Sequence, residues 1–218
     1  MYRPYSDPTL FGVLIYPGVE PIDIAATVGV ISMAQRVLPA VRAVTIAREA
    51  GQVALAGGLT VLAEHGIASA PDCEVVIVCG GPGWPEAAAD AAVGAWLRGL
   101  QPEGVASVCT GALVLGAAGM LKGRMATTRR VAMGNESQTP LTLLGADGTI
   151  AALAAQVVDD GVVTGGGVSL GIDVTLYLLG RVYGPDAVQE VARAIEYDRA
   201  YAANLAALGA VIRPEMGP

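Results

Sequence analysis

The residue best suited to chemistry in this chain is Cys109, in the run Ser107-Val108-Cys109-Thr110-Gly111. An apolar stretch leads straight into a helical pattern, and the cysteine sits at the junction. Small residues stand two positions away on either side. This spacing predicts a nucleophile elbow, a sharp strand-to-helix turn that lifts a reactive group out of a sheet. A helix N-terminus carries partial positive charge and unpaired N–H groups, which favour a thiolate. The Thr110 amide is expected to face an oxyanion formed beside the sulfur. The competing reading is a buried structural cysteine, since free cysteine packs as a small hydrophobe.

Other residue types could join it. Gly80-Gly81-Pro82-Gly83 follows an apolar run, and the Gly81 amide could supply a second oxyanion donor. No Gly-Lys-Ser/Thr follows, so it is not a phosphate loop. Asp23 lies among apolar residues in Gly18-Val19-Glu20-Pro21-Ile22-Asp23. It either caps the following helix or handles a proton beside Cys109. Glu20 is the competing carboxylate and is expected at the surface. Cys73 and Cys79 read as core packing, and His65 as a surface residue. Arg129 and Arg130 read by default as surface charges, with an anionic substrate or a partner subunit as the functional alternative.

The elements that must position these groups can be read along the chain. Leu10 to Tyr16, Val41 to Ala47, Val75 to Cys79 and Val105 to Val108 are short apolar runs that predict strands. The last two are continuous, as strands buried on both faces should be. Gln52 to Ala63 reads as a hairpin around Gly57-Gly58. Helical spacing covers Ile22 to Leu38, Pro85 to Leu100 and Thr110 to Leu121. A short helix and loop follow Arg129-Arg130, and Ala151 to Val158 is a further apolar run. Ser169 is placed to cap a helix running to Tyr183, and Pro185 opens another to about Ala194. The last twenty or so residues read as a final helix or an ordered tail. Strands alternate with helices, which predicts an α/β three-layer αβα sandwich with a mostly parallel sheet. Ligands of such sheets bind beyond the carboxyl ends of the strands. Gly80 to Gly83, the Cys109 turn and Gly165 to Gly167 all fall there. Gly80, Gly81 and Gly166 are therefore the expected substrate or oxyanion contacts.

Composition narrows the function. The chain has 218 residues, enough for one sizeable domain over residues 1–218, with its core at about 10–200. Hydrophobic residues make up 53% and charged residues 15%, and the net charge is −7. No basic run is present, so nucleic acid is not an expected partner. The first ten residues do not read as a signal peptide. Gly104 to Leu121 is uncharged, but its glycines fit a buried strand and helix better than a membrane span. Three cysteines without a C-x-x-C pair read as reduced thiols, which points to the cytoplasm. A single histidine excludes sites that need two, including most catalytic zinc sites; neither a metal nor another cofactor is expected.

Taken together these segments resemble the ThiJ/PfpI superfamily, a class I glutamine amidotransferase-like group, and within it the isonitrile hydratase branch. The resemblance rests on Tyr16-Pro17-Gly18-Val19 with Asp23, Gly80-Gly81, and Ser107 to Gly119. It extends through Ala126-Thr127-Thr128 and Thr164-Gly165-Gly166-Gly167 to Gly171-Ile172-Asp173. It implies a flavodoxin-like sandwich and usually a homodimer. It also implies Cys109 as nucleophile, Asp23 as its acidic partner, Thr110 as an orienting hydroxyl and a small-molecule substrate, with the Gly81 and Thr110 amides forming the oxyanion site. The implied reaction adds water to an isonitrile to give an N-substituted formamide. Two alternatives stand beside it: another cysteine hydrolase of the amidase kind, and a non-catalytic ligand-binding or redox-sensing protein. One departure weighs against the amidase. Where the family often has Thr-Thr-His-Trp this chain has Thr127-Thr128-Arg129-Arg130, so no histidine is at hand to carry a proton to a leaving amine.

Overall fold

A computed structural model describes residues 2–213. Its strands are β1 (Thr9–Leu14), β2 (Val41–Ala47), β3 (Gly51–Ala54), β4 (Thr60–Ala63), β5 (His65–Gly66), β6 (Val75–Val78), β7 (Val105–Ser107), β8 (Met125–Ala126), β9 (Ala151–Ala152), β10 (Val157–Asp159), β11 (Val163–Gly165) and β12 (Ala210–Ile212). Its helices are α1 (Pro21–Ile24), α2 (Val30–Ala34), α3 (Trp84–Ala89), α4 (Ala91–Arg98), α5 (Gly111–Ala117), α6 (Pro140–Leu144), α7 (Leu170–Tyr183), α8 (Pro185–Ala194) and α9 (Asp198–Leu208).

Eight strands form the main sheet in the order β12-β10-β11-β7-β6-β1-β2-β5. Every neighbouring pair is parallel except β10 with β11. Helices α1, α2, α7 and α8 pack together, and α3, α4, α5 and α6 form a second group. This is the expected αβα sandwich. The central strands are apolar on both faces because both faces are covered. β6 is buried throughout, and Phe11, Val13, Ile77, Leu115 and Leu176 are sealed from solvent. Because β1, β6, β7 and β11 run the same way, the segments that follow them converge at one end of the sheet.

Several boundaries depart from the sequence reading. The helix expected over Ile22–Leu38 is interrupted by a π-helical stretch at Ala25–Gly29. There the Thr27 hydroxyl donates back to the Asp23 carbonyl at 2.8 Å, a local bond that competes with the regular helix ladder. The helix expected over Pro85–Leu100 is two, because the Asp90 carboxylate accepts from the amides of Ala92 and Val93 and caps a fresh start. The helix expected to reach Leu121 ends at Ala117. Ser169 does precede α7, but its side chain makes no capping bond. The tail carries a strand as well as a helix. β12 pairs with β10 across some fifty residues of chain, a contact that local pattern cannot announce. The Gly104–Leu121 stretch is β7 and α5, and among the described residues no helix is long and apolar enough to cross a membrane.

The tail is tied down by Asp173, a fully buried carboxylate on α7. It accepts from Gln156 Nε2 at 2.6 Å, from the Tyr197 hydroxyl at 2.9 Å and from Asn204 Nδ2 at 3.2 Å. Removing the acceptor strands the buried Gln156 amide and two half-buried donors at once, and a buried donor costs about 1–3 kcal/mol when left unpaired. Asp173→Ala should therefore lower unfolding stability by several kcal/mol, read as a lower urea midpoint.

Candidate active site

Cys109 follows β7 and precedes α5, and it holds a φ of 51°. A non-glycine residue in that region is uncommon and is maintained only when its surroundings enforce it. Three contacts do so. The Cys109 amide donates to the Gly166 carbonyl at 3.3 Å, the Thr128 hydroxyl donates to the Cys109 carbonyl at 2.6 Å, and the Val108 amide donates to the Val78 carbonyl at 3.0 Å. Gly111 is required by the same turn. A Cβ there would lie 2.1 Å from the Val78 carbonyl oxygen, so only glycine lets α5 start against β6. The elbow is the predicted one, and the thiol is 3% exposed at the base of a cleft of about 550 Å³.

The cleft holds Cys109, Thr110, Gly81, Trp84, Glu20 and Arg129. Asp23 lies behind this lining and is fully buried. Its Oδ2 accepts from the Gly80 amide at 2.7 Å, and Gly80 packs directly against Cys109 and Thr110. No hydrogen bond joins Asp23 to the sulfur, and the other carboxyl oxygen, Oδ1, is buried without a partner. Burial pushes the Asp23 carboxyl up from 3.8 to about 7; the Gly80 amide opposes that, and Glu20 adds to it. Cys79, also sealed from solvent, lies close enough for its thiol to be pushed up by burial and then by Asp23.

The glycine amides serve purposes other than the ones expected of them. Gly80 N–H is engaged by Asp23. Gly81 N–H donates to the Thr110 hydroxyl at 2.8 Å. Gly166 N–H donates to the Gln156 carbonyl at 3.2 Å, while the Gly166 carbonyl holds the elbow. None of the three is an open oxyanion donor in this arrangement. Gly80 and Gly81 position Asp23 and Thr110, and Gly166 positions Cys109. The Thr110 hydroxyl donates back to the Gly81 carbonyl at 3.3 Å, so the Gly81 and Thr110 pair is reciprocal, and Thr110 acts to lower the Cys109 thiol's pKa.

The thiol also departs from expectation. Burial, followed by the charge of Asp23, raises it from 9.0 to about 12, outweighing the Thr110 contacts and Arg129. The helix N-terminus does act in the expected direction, but α5 opens in a site too dry and too close to a carboxyl for that to prevail. Of the two arginines, Arg130 is exposed, whereas Arg129 is buried in the cleft wall and paired with Glu136. Glu20 is half-buried at the cleft rather than at the surface. Glu136 gave no sequence signal, because it lies in an irregular polar loop. His65 sits on β5 at the far edge of the sheet and takes no part.

The DJ-1/PfpI family model matches residues 12–180. The chain belongs to the DJ-1/PfpI family. An isonitrile hydratase from Pseudomonas putida is 32% identical over 188 residues, covering 85% of this chain and 77% of that protein. A ThiJ/PfpI family protein from Pseudomonas syringae superposes with a TM-score of 0.73 at 26% identity, covering 89% of this chain and 77% of the other. Drosophila melanogaster DJ-1beta shares the fold with a TM-score of 0.73 at 20% identity, over 87% of this chain and 98% of its own.

Asp23 offers a direct check on the electrostatics. In the folded chain it keeps its proton up to about pH 7, whereas in the unfolded chain it releases it near 3.8. Its proton-linked stabilisation is fully present below the unfolded value and is lost as pH rises through about 7. Asp23→Asn removes that loss and leaves an amide oxygen for the Gly80 N–H. The variant's stability relative to the native chain should rise between about pH 4 and about pH 8, by up to about 4 kcal/mol in urea unfolding.

Proposed function

We propose that this chain is a cysteine-dependent hydratase that adds water to an isonitrile to give an N-substituted formamide. The observation that carries the reading is the placing of Cys109 on its elbow in a cleft lined by no histidine, with the fully buried Asp23 carboxyl held behind it by the Gly80 amide; burial favours the protonated form of both groups. The likeness to the P. putida isonitrile hydratase supports the same substrate class.

An isonitrile needs a proton at its terminal carbon and a nucleophile at the same atom. Sulfur of Cys109 bonds to that carbon while the Asp23 carboxyl supplies the proton, and the thiol proton passes to the carboxylate. A thioimidate results, with Asp23 protonated again. Water then adds across the carbon–nitrogen double bond: its oxygen goes to carbon and one proton to nitrogen. The carbon–sulfur bond breaks next, sulfur keeps the electron pair, and the hydroxyl proton returns to it as the formamide forms. Thr110, held by Gly81 and next to Cys109 in the cleft lining, orients the nucleophile.

The test is formamide production from a simple alkyl isonitrile. Cys109→Ala should abolish turnover. Asp23→Asn should lower kcat/KM by about 10²–10⁴-fold, the range of a lost acid–base group. Glu20→Gln, which removes the other cleft carboxylate, should stay within about tenfold of the native chain. For the native enzyme kcat/KM should be flat below about pH 7 and fall above it, because the proton donor is lost there. Absence of formamide from the native chain would overturn the isonitrile reading.

A further inference from the structure

The mechanism above leaves one buried charge in the cleft without a task. Arg129 is 7% exposed, its chain held by the Leu141 amide donating to the Arg129 carbonyl at 3.1 Å. Its guanidinium donates to the Val131 carbonyl and to Glu136 Oε1, and Glu136 is fixed in turn by the Met133 amide at 2.9 Å. Arg129 lines the same cleft as Cys109, and its positive charge acts to lower the thiol's pKa. Gly167 marks how closely the two approach: a Cβ there would meet Cys109 Sγ at 2.7 Å and Arg129 Cβ at 3.1 Å. Burying an arginine is costly, and a single ion pair at a partly exposed glutamate does not explain why this one is turned inward. Among the described residues Arg129 is the one cation lining the cleft.

We propose that Arg129 is a further catalytic residue, whose guanidinium stabilises the Cys109 sulfur as the carbon–sulfur bond of the hydrated adduct breaks, with Glu136 anchoring and balancing its charge. Negative charge collects on sulfur in that step, and the guanidinium meets it before the hydroxyl proton arrives. The step consumes nothing beyond the water already added. An alternative use, gripping an anionic substrate tail, fits the charges less well. Glu136 already neutralises Arg129, and Glu20 faces the same cleft, so an anionic tail meets more negative than positive charge.

The inference rests on the hydratase reading for the step it names, but its first test does not require turnover. The rate of Cys109 alkylation by iodoacetamide is followed against pH in the native chain, Arg129→Gln, Arg129→Lys and Glu136→Gln. Cys73→Ser with Cys79→Ser in the background of all four removes the competing thiols, and the other titratable groups facing the sulfur, Asp23, Glu20 and Tyr16, are the same in all four. Arg129→Gln should alkylate about tenfold more slowly near neutral pH, with its profile moved to higher pH; Arg129→Lys should recover part of that loss. Glu136→Gln keeps an anchoring oxygen but removes the balancing charge, so its profile should move the opposite way. Opposite shifts from the two partners are an electrostatic signature that a packing role does not produce. An unmoved profile in Arg129→Gln, or shifts of the same sign in both variants with far-UV circular dichroism preserved, would overturn the proposal. So would an unmoved profile joined to a raised KM for a carboxylate-bearing isonitrile, which would make Arg129 an anion-binding group. If formamide is produced, kcat should fall in Arg129→Gln with KM for an alkyl isonitrile little changed.

Discussion

A cysteine held at a φ of 51° between a buried strand and a helix has no local reason to stay there. Everything around the site can be understood as what keeps it in place. β7 is clamped between β6 and β11, so the chain enters the turn with its direction fixed. Thr128 and Gly166 then bind the carbonyl and the amide of the cysteine itself. Thr128 follows β8 and Gly166 follows β11, so the elbow is braced by segments remote in sequence. Gln156, which holds the Gly166 amide through its carbonyl, also donates to Asp173 and so connects the brace to the C-terminal helix. The strain at one residue is thus shared by the sheet, two crossing segments and the tail.

The second constraint is dielectric. The same close packing that forms the elbow removes water from it, and burial then works against charge on both Cys109 and Asp23. Asp23 also raises Cys109, and Glu20 raises Asp23, because negative groups this close cannot all ionise cheaply. The outcome is a site that stores protons rather than one that exposes a thiolate. That bears on the redox-sensing alternative, since susceptibility to oxidation follows thiolate character and exposure, and this thiol has little of either.

Much of the fold was legible because it rests on local pattern. β2 runs over Val41–Ala47 as its apolar run predicts, and α8 opens at Pro185 as proline at a first helical turn should. Cys109 was legible for the same reason: an apolar strand, a thiol and small flanking residues leave little else to build. What remained hidden depends on pairing across the chain. β12 is three residues whose only reason to be a strand is β10. The functions of Gly80, Gly81 and Gly166 were misassigned because a glycine-rich loop reveals that backbone approaches something, not whether its N–H is already taken. Arg129 and Arg130 are adjacent and chemically alike, and only the fold turns one inward and leaves the other in solvent.

The proposed reaction class agrees with what the site can and cannot move. Hydrolysis of an amide requires a proton delivered to a departing amine by a group that has just accepted one, at neutral pH, and a histidine is the usual carrier. The sole histidine is on the edge strand β5, four strands away from β7. An isonitrile imposes a lighter demand. Its nitrogen never leaves, the proton it needs first goes to carbon, and the only leaving group is the enzyme's own sulfur. A carboxyl that still holds its proton near neutrality can meet the first requirement, and a thiol that shares its cleft with a guanidinium can meet the last. The replacement of a histidine by Arg129 in the Thr127-Thr128 segment then changes character. It removes the proton carrier that an amidase would need and supplies the fixed positive charge that a departing sulfur can use.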